Sequence, residues 1–332
     1  MNVLLLSMPD YFEHMPPVAV RMPNGALTSL AGNVDRHHRV AVADLILCYR
    51  RVPETVTRLV REFGPEVVGL SVMTFQRRTA GRLIQLVRAL KPGVKIVVGG
   101  YDPSLAGEAY EGMGVDYLVR GEGEFAFREL LRALERGKGF DRICGLSLRN
   151  GEVWLHNPNS SVHRLEGGDL RPPDRSARVL SGYTLLGRQV DVVETSRGCT
   201  YDCSFCSIIE MRGRNFHTYS LERVLADIRD ARDRGARTIF LVDDNVTLNV
   251  RRFEELCHAI IDARLDNLDY FVQAMTSAIA THGKTLAPLM RRRAFATFSW
   301  ESKTSWKVIS SSCAPPPKTR PATTEATLAM QR

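Results

Sequence analysis

The sequence predicts an α/β protein made of two regions of alternating strand and helix, and three observations support it. Short β-branched runs alternate with helix-patterned stretches from Met1 to about residue 140, and again from Gln189 onward. Such alternation builds parallel sheets with crossover helices. The length, 332 residues, exceeds the usual size of one domain. Between the two regions the pattern breaks into a hairpin signal and a proline pair. The expected domains are 1–140, a doubly wound domain; 141–185, a linker with a hairpin; 186–301, a second strand–helix region; and 302–332, an irregular tail.

In the first region, strands are expected at Asn2–Ser7, Arg39–Leu45, Val67–Val72, Lys95–Gly99 and Tyr117–Val119. The helices Pro53–Glu62, Gln76–Leu90 and Glu124–Arg136 carry apolar residues at helical spacing. Five strands with crossover helices make a flavodoxin/Rossmann-like sheet. Such sheets bind ligands at the carboxyl ends of their strands, near the point where strand order reverses. Those ends carry small or turn-forming residues: Ser71, Met73 and Thr74; Gly99 and Gly100; and Gly121, Glu122, Gly123 and Glu124. Glycine lets the backbone approach a bulky ligand and offers it amides, so a large flat cofactor would fit this rim. A module that has lost its ligand and only docks against its neighbour would carry the same pattern.

The connector reads as a β-hairpin around Asn150-Gly151 followed by an extended crossing at Arg171-Pro172-Pro173. A strand over Gln189–Ser196 then leads into a loop. Beyond the loop come a helix Ser220–Arg234 with Ser220 as its N-cap, a strand Arg237–Val242, a helix Val250–Arg264, a strand Tyr270–Met275, a helix Lys284–Arg292 and a strand Ala294–Trp300. Asp243, Asp244, Asn245, Gln273 and Glu301 fall at the carboxyl ends of these strands. Reactive groups gather there in βα barrels, although helix caps and turns use the same residue types.

The loop itself is Arg197-Gly198-Cys199-Thr200-Tyr201-Asp202-Cys203-Ser204-Phe205-Cys206. Three thiolates within eight residues can wrap one corner of an inorganic cluster, and a cubane held by three cysteines keeps one iron open. A structural zinc site wants four closed ligands, and His217 is the nearest fourth candidate. Chance clustering of buried cysteines does not suit a segment rich in Gly, Ser, Thr and Asp.

The spacing C-x3-C-x2-C, with the aromatic Phe205 just before the last cysteine, resembles the radical S-adenosylmethionine superfamily. The resemblance implies that Cys199, Cys203 and Cys206 hold a 4Fe-4S cluster and that S-adenosylmethionine chelates its open iron. Phe205 would pack near the adenosine, and Asp243 and Asp244 would face S-adenosylmethionine or substrate. The second region is then a partial (β/α)6 TIM-like barrel. Ahead of it, Gly69-Leu70-Ser71, Val97-Val98-Gly99-Gly100 and Arg120-Gly121-Glu122-Gly123-Glu124 look like the cobalamin-binding domain of one branch of that superfamily. Asp35-Arg36-His37-His38-Arg39-Val40 resembles the D-x-H-x-x-G loop that places histidine under cobalt in mutases, but Val40 replaces the glycine and the segment precedes the second strand. His14 lies in the corresponding loop without the motif, so a histidine-free cobalamin is expected.

The resemblance implies a radical methyltransferase acting at an unactivated carbon or phosphorus, served by an electron donor such as flavodoxin or ferredoxin and acting on a small-molecule or natural-product substrate. Its rivals are a radical rearrangement or cyclisation without methyl transfer, and a non-catalytic fragment that binds cobalamin. Four barrel strands are found where six are expected. The segment Ser302–Pro317 lacks an apolar period, and Ser299 and Trp300 stand where the family has a small residue and glycine. The barrel therefore reads as truncated or frameshifted, and a chain of this kind is expected to bind iron without turning over.

Composition excludes other classes. Seven cysteines, with those outside the loop scattered at 48, 144, 257 and 313, form no secreted disulfide framework. Cys48, Cys144 and Cys257 read as ordinary small buried residues on strands or helices. The N-terminus lacks a basic signal region, and no apolar run approaches the ~20 residues of a membrane span; a cytoplasmic protein is expected. The net charge of +8 is spread along amphipathic helices rather than gathered with stacking aromatics, so no specific nucleic acid is expected.

Overall fold

The computed structural model describes residues 1–10, 19–151, 153–159, 170–291 and 295–297. The expectations for His14, Ser299, Trp300, Glu301, Cys313 and the tail 302–332 lie outside the described residues. The chain forms two compact units, 1–187 and 188–332.

The first unit opens with β1 (Asn2–Ser7), β2 (Val20–Arg21), α1 (Gly25–Asn33), β3 (Arg39–Asp44) and α2 (Val52–Phe63). It continues through β4 (Val67–Ser71), α3 (Arg77–Leu90), β5 (Lys95–Gly99), α4 (Tyr101–Leu105), β6 (Tyr117–Val119) and α5 (Gly123–Arg136). The hairpin β7 (Leu146–Asn150) and β8 (Val153–His156) and the short β9 (Thr184–Leu185) complete it. The sheet order is β3-β1-β4-β5-β6-β7-β8. The first five strands are parallel, and the hairpin adds antiparallel to β6. Among the parallel strands this is the 2-1-3-4-5 order of a doubly wound sheet, with its reversal between β1 and β4.

Both faces of the sheet are covered, which is why the strands read as near-continuous apolar runs. Leu4, Leu6, Val68, Leu70, Ile96 and Val98 pack with α2 and α3. Val3, Leu5, Val67, Val97 and Val119 pack with α1 and α5 on the other face. Helix α1 has no counterpart among the sequence expectations. Its Thr, Ser and Asn are poor helix formers, and Thr28, Ser29 and Asn33 are buried alongside Leu27 and Ala31, so no polar face marks it. It begins at an Asn24 cap, whose Oδ1 accepts the Ala26 amide at 3.1 Å. The extended crossing is pinned to it: Asn33 Nδ2 donates to the Arg171 carbonyl at 3.1 Å, and its Oδ1 accepts the Arg171 amide at 2.9 Å.

The second unit contains β10 (Arg188–Val193), β11 (Ser196–Arg197), α6 (Ile208–Arg212), β12 (His217–Thr218), α7 (Leu221–Asp233) and β13 (Thr238–Leu241). After these come α8 (Val250–Asp262), β14 (Asp269–Val272), α9 (Thr276–Arg291) and β15 (Phe295–Thr297). β10, β13, β14 and β15 pair in parallel in that order, and β11 pairs antiparallel with β12. Ser220 caps α7 as expected, accepting the Arg223 amide at 3.3 Å. Helix α9 begins eight residues before the expected Lys284 and contains Pro288. Thr276, Ser277 and Gly283 are weak helix formers, and packing of buried Ile279 and Leu286 outweighs them. Among the described residues no helix is long and apolar enough to cross a membrane.

Candidate functional site

The rim of the first unit is built where the sheet order reverses. Ser7 and Ser71 stand side by side at the carboxyl ends of β1 and β4, and Ser71 Oγ accepts from Asn24 Nδ2 at 3.2 Å. The loop beyond β4 turns at Met73, whose amide donates to Gln76 Oε1 at 3.0 Å. Met73, Phe75 and Leu105 are exposed at 43%, 37% and 39%. Three large apolar side chains exposed beyond the carboxyl ends of β4 and β5 suit a large apolar ligand.

Gly100 cannot be another residue. Its φ is +102°, and a Cβ there would lie 2.8 Å from the Val72 nitrogen and 2.9 Å from the Val72 oxygen. The loops after β5 and β6 are then linked through Ser104, whose hydroxyl donates to the Gly100 carbonyl at 2.7 Å and accepts the Gly121 amide at 2.9 Å. Glu124 faces inward instead: it is buried and accepts from Ser29 Oγ at 2.7 Å, tying α5 to α1.

Sequence reasoning missed the clamp behind this rim. Asp102, buried on α4, accepts both Arg77 Nε and Arg77 Nη2 at 2.7 Å and the Tyr110 hydroxyl at 2.7 Å. Burial works against the Asp102 carboxylate, but hydrogen bonds from Arg77 and Tyr110 outweigh it and hold its pKa below the usual range. The clamp joins the start of α3, beyond the Met73–Gln76 loop, to the segment after β5. Only a buried Asp facing an Arg 25 residues upstream would have signalled it, and one sequence does not show that pairing.

His37 and His38 lie in the turn before β3, at the amino ends of the strands and so away from the rim.

In the second unit β10 feeds the three-cysteine loop. Cys199 and Cys203 are partly buried and Cys206 is exposed. The Cys206 amide donates to the Cys203 carbonyl at 2.9 Å, curling the loop between them. Burial pushes the Cys199 thiol up, while amides of Tyr201 and Thr200 directed at its sulfur pull it down. Gly198 has φ +87°, and a Cβ on it would lie 2.5 Å from the backbone oxygen and Oδ1 of Asn215. Phe205 is 55% exposed, an aromatic face free to meet a ligand. His217 pairs in register with Arg197, and it does not form with the cysteines a trio of ligand atoms within 4.8 Å.

The strand-end carboxylates hold this loop. Asp243 Oδ1 accepts the Thr195 amide at 2.7 Å, and Oδ2 accepts from Ser196 Oγ at 2.6 Å and from Thr195 Oγ1. Asp244 Oδ2 accepts the Gly198 amide at 2.9 Å. Glu194, which sequence reasoning missed, accepts from Arg197 Nε at 2.7 Å and from the Tyr219 hydroxyl at 2.9 Å. Asn245 is buried, its Oδ1 accepting from Thr247, and the backbone oxygen of Gln273 accepts the Val246 amide at 3.0 Å.

Burial pushes Asp243 up to about 6 against the pull of the Ser196 and Thr195 hydrogen bonds. A carboxyl whose folded pKa lies above its unfolded value of 3.8 makes the native state bind the extra proton, so stability is lost as pH rises from the unfolded pKa through the folded one. Asp243→Asn removes that titration while keeping an amide of the same shape. Urea unfolding should show the parent chain gaining about 1 to 2 kcal/mol relative to Asp243→Asn between pH 7.5 and pH 5; a difference independent of pH would disprove the shift.

Comparisons with known proteins place these two units. The B12 binding domain family matches residues 15–131, and the Radical SAM superfamily matches residues 193–297. An uncharacterised methyltransferase of Pyrococcus horikoshii is 29% identical over 272 residues, 80% of this chain and 58% of the relative. The 2-(S-pantetheinyl)-carbapenam-3-carboxylate methyltransferase of Streptantibioticus cattleyicolor is 31% identical over 208 residues, 60% of this chain and 30% of the relative. The chain thus spans little more than half of one relative and under a third of the other. A solved structure of the radical S-adenosylmethionine methyltransferase TsrM from Kitasatospora setae, with cobalamin and a 4Fe-4S cluster bound, superposes with a TM-score of 0.68 at 18% identity, covering 89% of this chain and 65% of that one. At that identity the likeness is one of fold. With a doubly wound unit matching the one family and a three-cysteine strand–loop unit matching the other, the chain belongs to the radical SAM superfamily, in the branch that carries a B12 binding domain ahead of the radical SAM domain.

Proposed function

We propose that this chain acts as a cobalamin-dependent radical S-adenosylmethionine methyltransferase that modifies an unactivated carbon or phosphorus of a small molecule. The observation that carries the reading is the presence of both domains on one chain, B12 binding first and radical SAM second. The methyltransferase relatives support the reaction type. Bound together, the cluster, S-adenosylmethionine and cobalamin would supply radical and methyl-transfer chemistry that protein side chains cannot.

The chain's own part is to hold and position. Cys199, Cys203 and Cys206 would ligate the cluster. Phe205 would pack near the adenosine. Asp243 and Asp244 serve as positioning residues, since their carboxylates fix the strand and glycine that enter the loop. Ser71, Met73, Thr74, Gly99, Gly100, Gly121, Glu122 and Gly123 would form the cobalamin rim, with Glu124 bracing it from inside. The electrons would come from a flavodoxin- or ferredoxin-class donor.

The test is anaerobic incubation of the reconstituted, cobalamin-loaded chain with S-adenosylmethionine and a low-potential reductant. Methyl transfer yields both 5′-deoxyadenosine and S-adenosylhomocysteine, whereas the truncated barrel expected from the sequence would bind iron and yield neither. Deoxyadenosine without S-adenosylhomocysteine would replace methyl transfer by a radical rearrangement, and the lack of both would leave the chain a binding protein.

A further inference from the structure

A second cluster of ligating side chains lies in the first unit. His37 and His38 occupy the turn that enters β3, closed by the His38 amide donating to the Asp35 carbonyl at 3.0 Å. Glu135 is the penultimate residue of α5. His37 Nε2 lies 2.9 Å from Glu135 Oε1, and His38 Nδ1 lies 3.7 Å from the same oxygen. All three ligand atoms fall within 4.8 Å of one another. We propose that His37, His38 and Glu135 bind a divalent transition-metal ion of the zinc class.

Three features support the assignment. Zinc bonds of about 2.0–2.1 Å to imidazole and carboxylate put ligand atoms roughly 3.3 Å apart around a tetrahedron, and the observed separations bracket that spacing. The tautomer is suitable as well. His38 Nδ1 faces the Met1 ammonium at 3.0 Å, which can only donate, so Nδ1 carries the lone pair and Nε2 the proton. A cation would take that lone pair in place of the ammonium. Finally, a carboxylate in the last turn of a helix meets the negative end of the helix dipole. The arginine one turn back, Arg132, is occupied by Asp35 at 2.6 Å and Glu129 at 2.7 Å, so Glu135 faces the two histidines and the Met1 ammonium.

The site is asymmetric: the His38 side chain is fully buried, whereas those of His37 and Glu135 are 58% and 35% exposed. An ion held there would keep coordination positions open to water. The site's position at the amino ends of the strands separates it from the rim on the same unit, so its occupancy is independent of the proposed methyl transfer.

The experiment uses the full chain with Cys199, Cys203 and Cys206 replaced by alanine, so that the cluster loop cannot take the probe. Cobalt(II) titration should give one ion per chain, with visible ligand-field bands and no thiolate charge-transfer band, and zinc should displace it. His37→Ala and Glu135→Gln should each weaken cobalt binding more than about tenfold, the loss that even outer-shell changes can cause. Glu135→Gln keeps the shape and guards against a folding defect, which circular dichroism in the presence of chelator would reveal. If the parent chain binds no cobalt, or if binding survives both substitutions, the histidines and Glu135 are an ion pair and the proposal is wrong.

Discussion

Cys203→Ala should abolish cluster assembly. Reconstituted under anaerobic conditions, the parent chain is expected to carry about four irons and four sulfides, and the variant fewer than about one of each. Losing the Cys203 sulfur leaves only two thiolates, too few to hold a cubane, while the backbone curl in which the Cys203 carbonyl accepts the Cys206 amide is kept by alanine. Gly198, with its positive φ and close approach to Asn215, and the Asp244 carboxylate that accepts its amide fix the entry to the loop through contacts that do not involve the Cys203 thiol, so the variant should keep its secondary structure. The other thiols serve as controls. Cys257 is fully buried on α8 and burial pushes its thiol up to about 12, which keeps it unreactive. Cys48 is half-buried and donates to the Leu45 carbonyl. Cys144, expected to be a buried residue of a strand or helix, is instead exposed in the turn before β7. Alanine at any of the three should leave iron content unchanged. Zinc taken up in preference to iron would overturn the cluster assignment.

What the sequence shows and what it hides divides along physical lines. The five parallel strands and three of their helices were legible because burial on both faces writes continuous apolar runs in strands, and one-sided burial writes 3.6-residue periodicity in α2, α3 and α5. Helix α1 was hidden because both of those signals fail in a helix of small and polar residues that is buried on most sides. The cysteine loop was legible because its ligands lie within one local segment. The holding network around it was not: Asp243 reaches Thr195 and Ser196, and Glu194 reaches Tyr219, across gaps of 48, 47 and 25 residues. A carboxylate at a strand end looks the same whether it meets a ligand or a backbone amide. The sequence placed Asp243 and Asp244 at the correct end of the correct strand, and only coordinates show what their oxygens accept. Glu124 makes the same point in the first unit. Read as a rim residue from its glycine-rich neighbours, it turns inward to Ser29 because the first turn of α5 packs on α1.

Asp102→Ala should be the most damaging single substitution in the first unit. It removes a bidentate pair with Arg77 and strands the Tyr110 hydroxyl, whose residue is fully buried. Deleting one partner of a buried ion pair costs about 3–5 kcal/mol. Arg77, however, is about one-third exposed and can turn to water, so a loss of roughly 2–4 kcal/mol is expected after that discount. Tyr110→Phe, which removes one hydrogen bond and leaves the salt bridge, should cost only about 1 kcal/mol. The double variant should then lose less than the sum, because both side chains act on one carboxylate. Urea unfolding of the four chains measures all of this. Cobalamin supplies the functional side: Asp102 binds the first turn of α3 to α4, and those segments carry the loops proposed to hold the cofactor. Asp102→Ala should therefore lose hydroxocobalamin under conditions where Tyr110→Phe retains it. If Asp102→Ala unfolds within 1 kcal/mol of the parent, the carboxylate is not the keystone of the rim. If it is destabilised as expected yet binds hydroxocobalamin normally, the cofactor sits elsewhere than on the loops after β4 and β5.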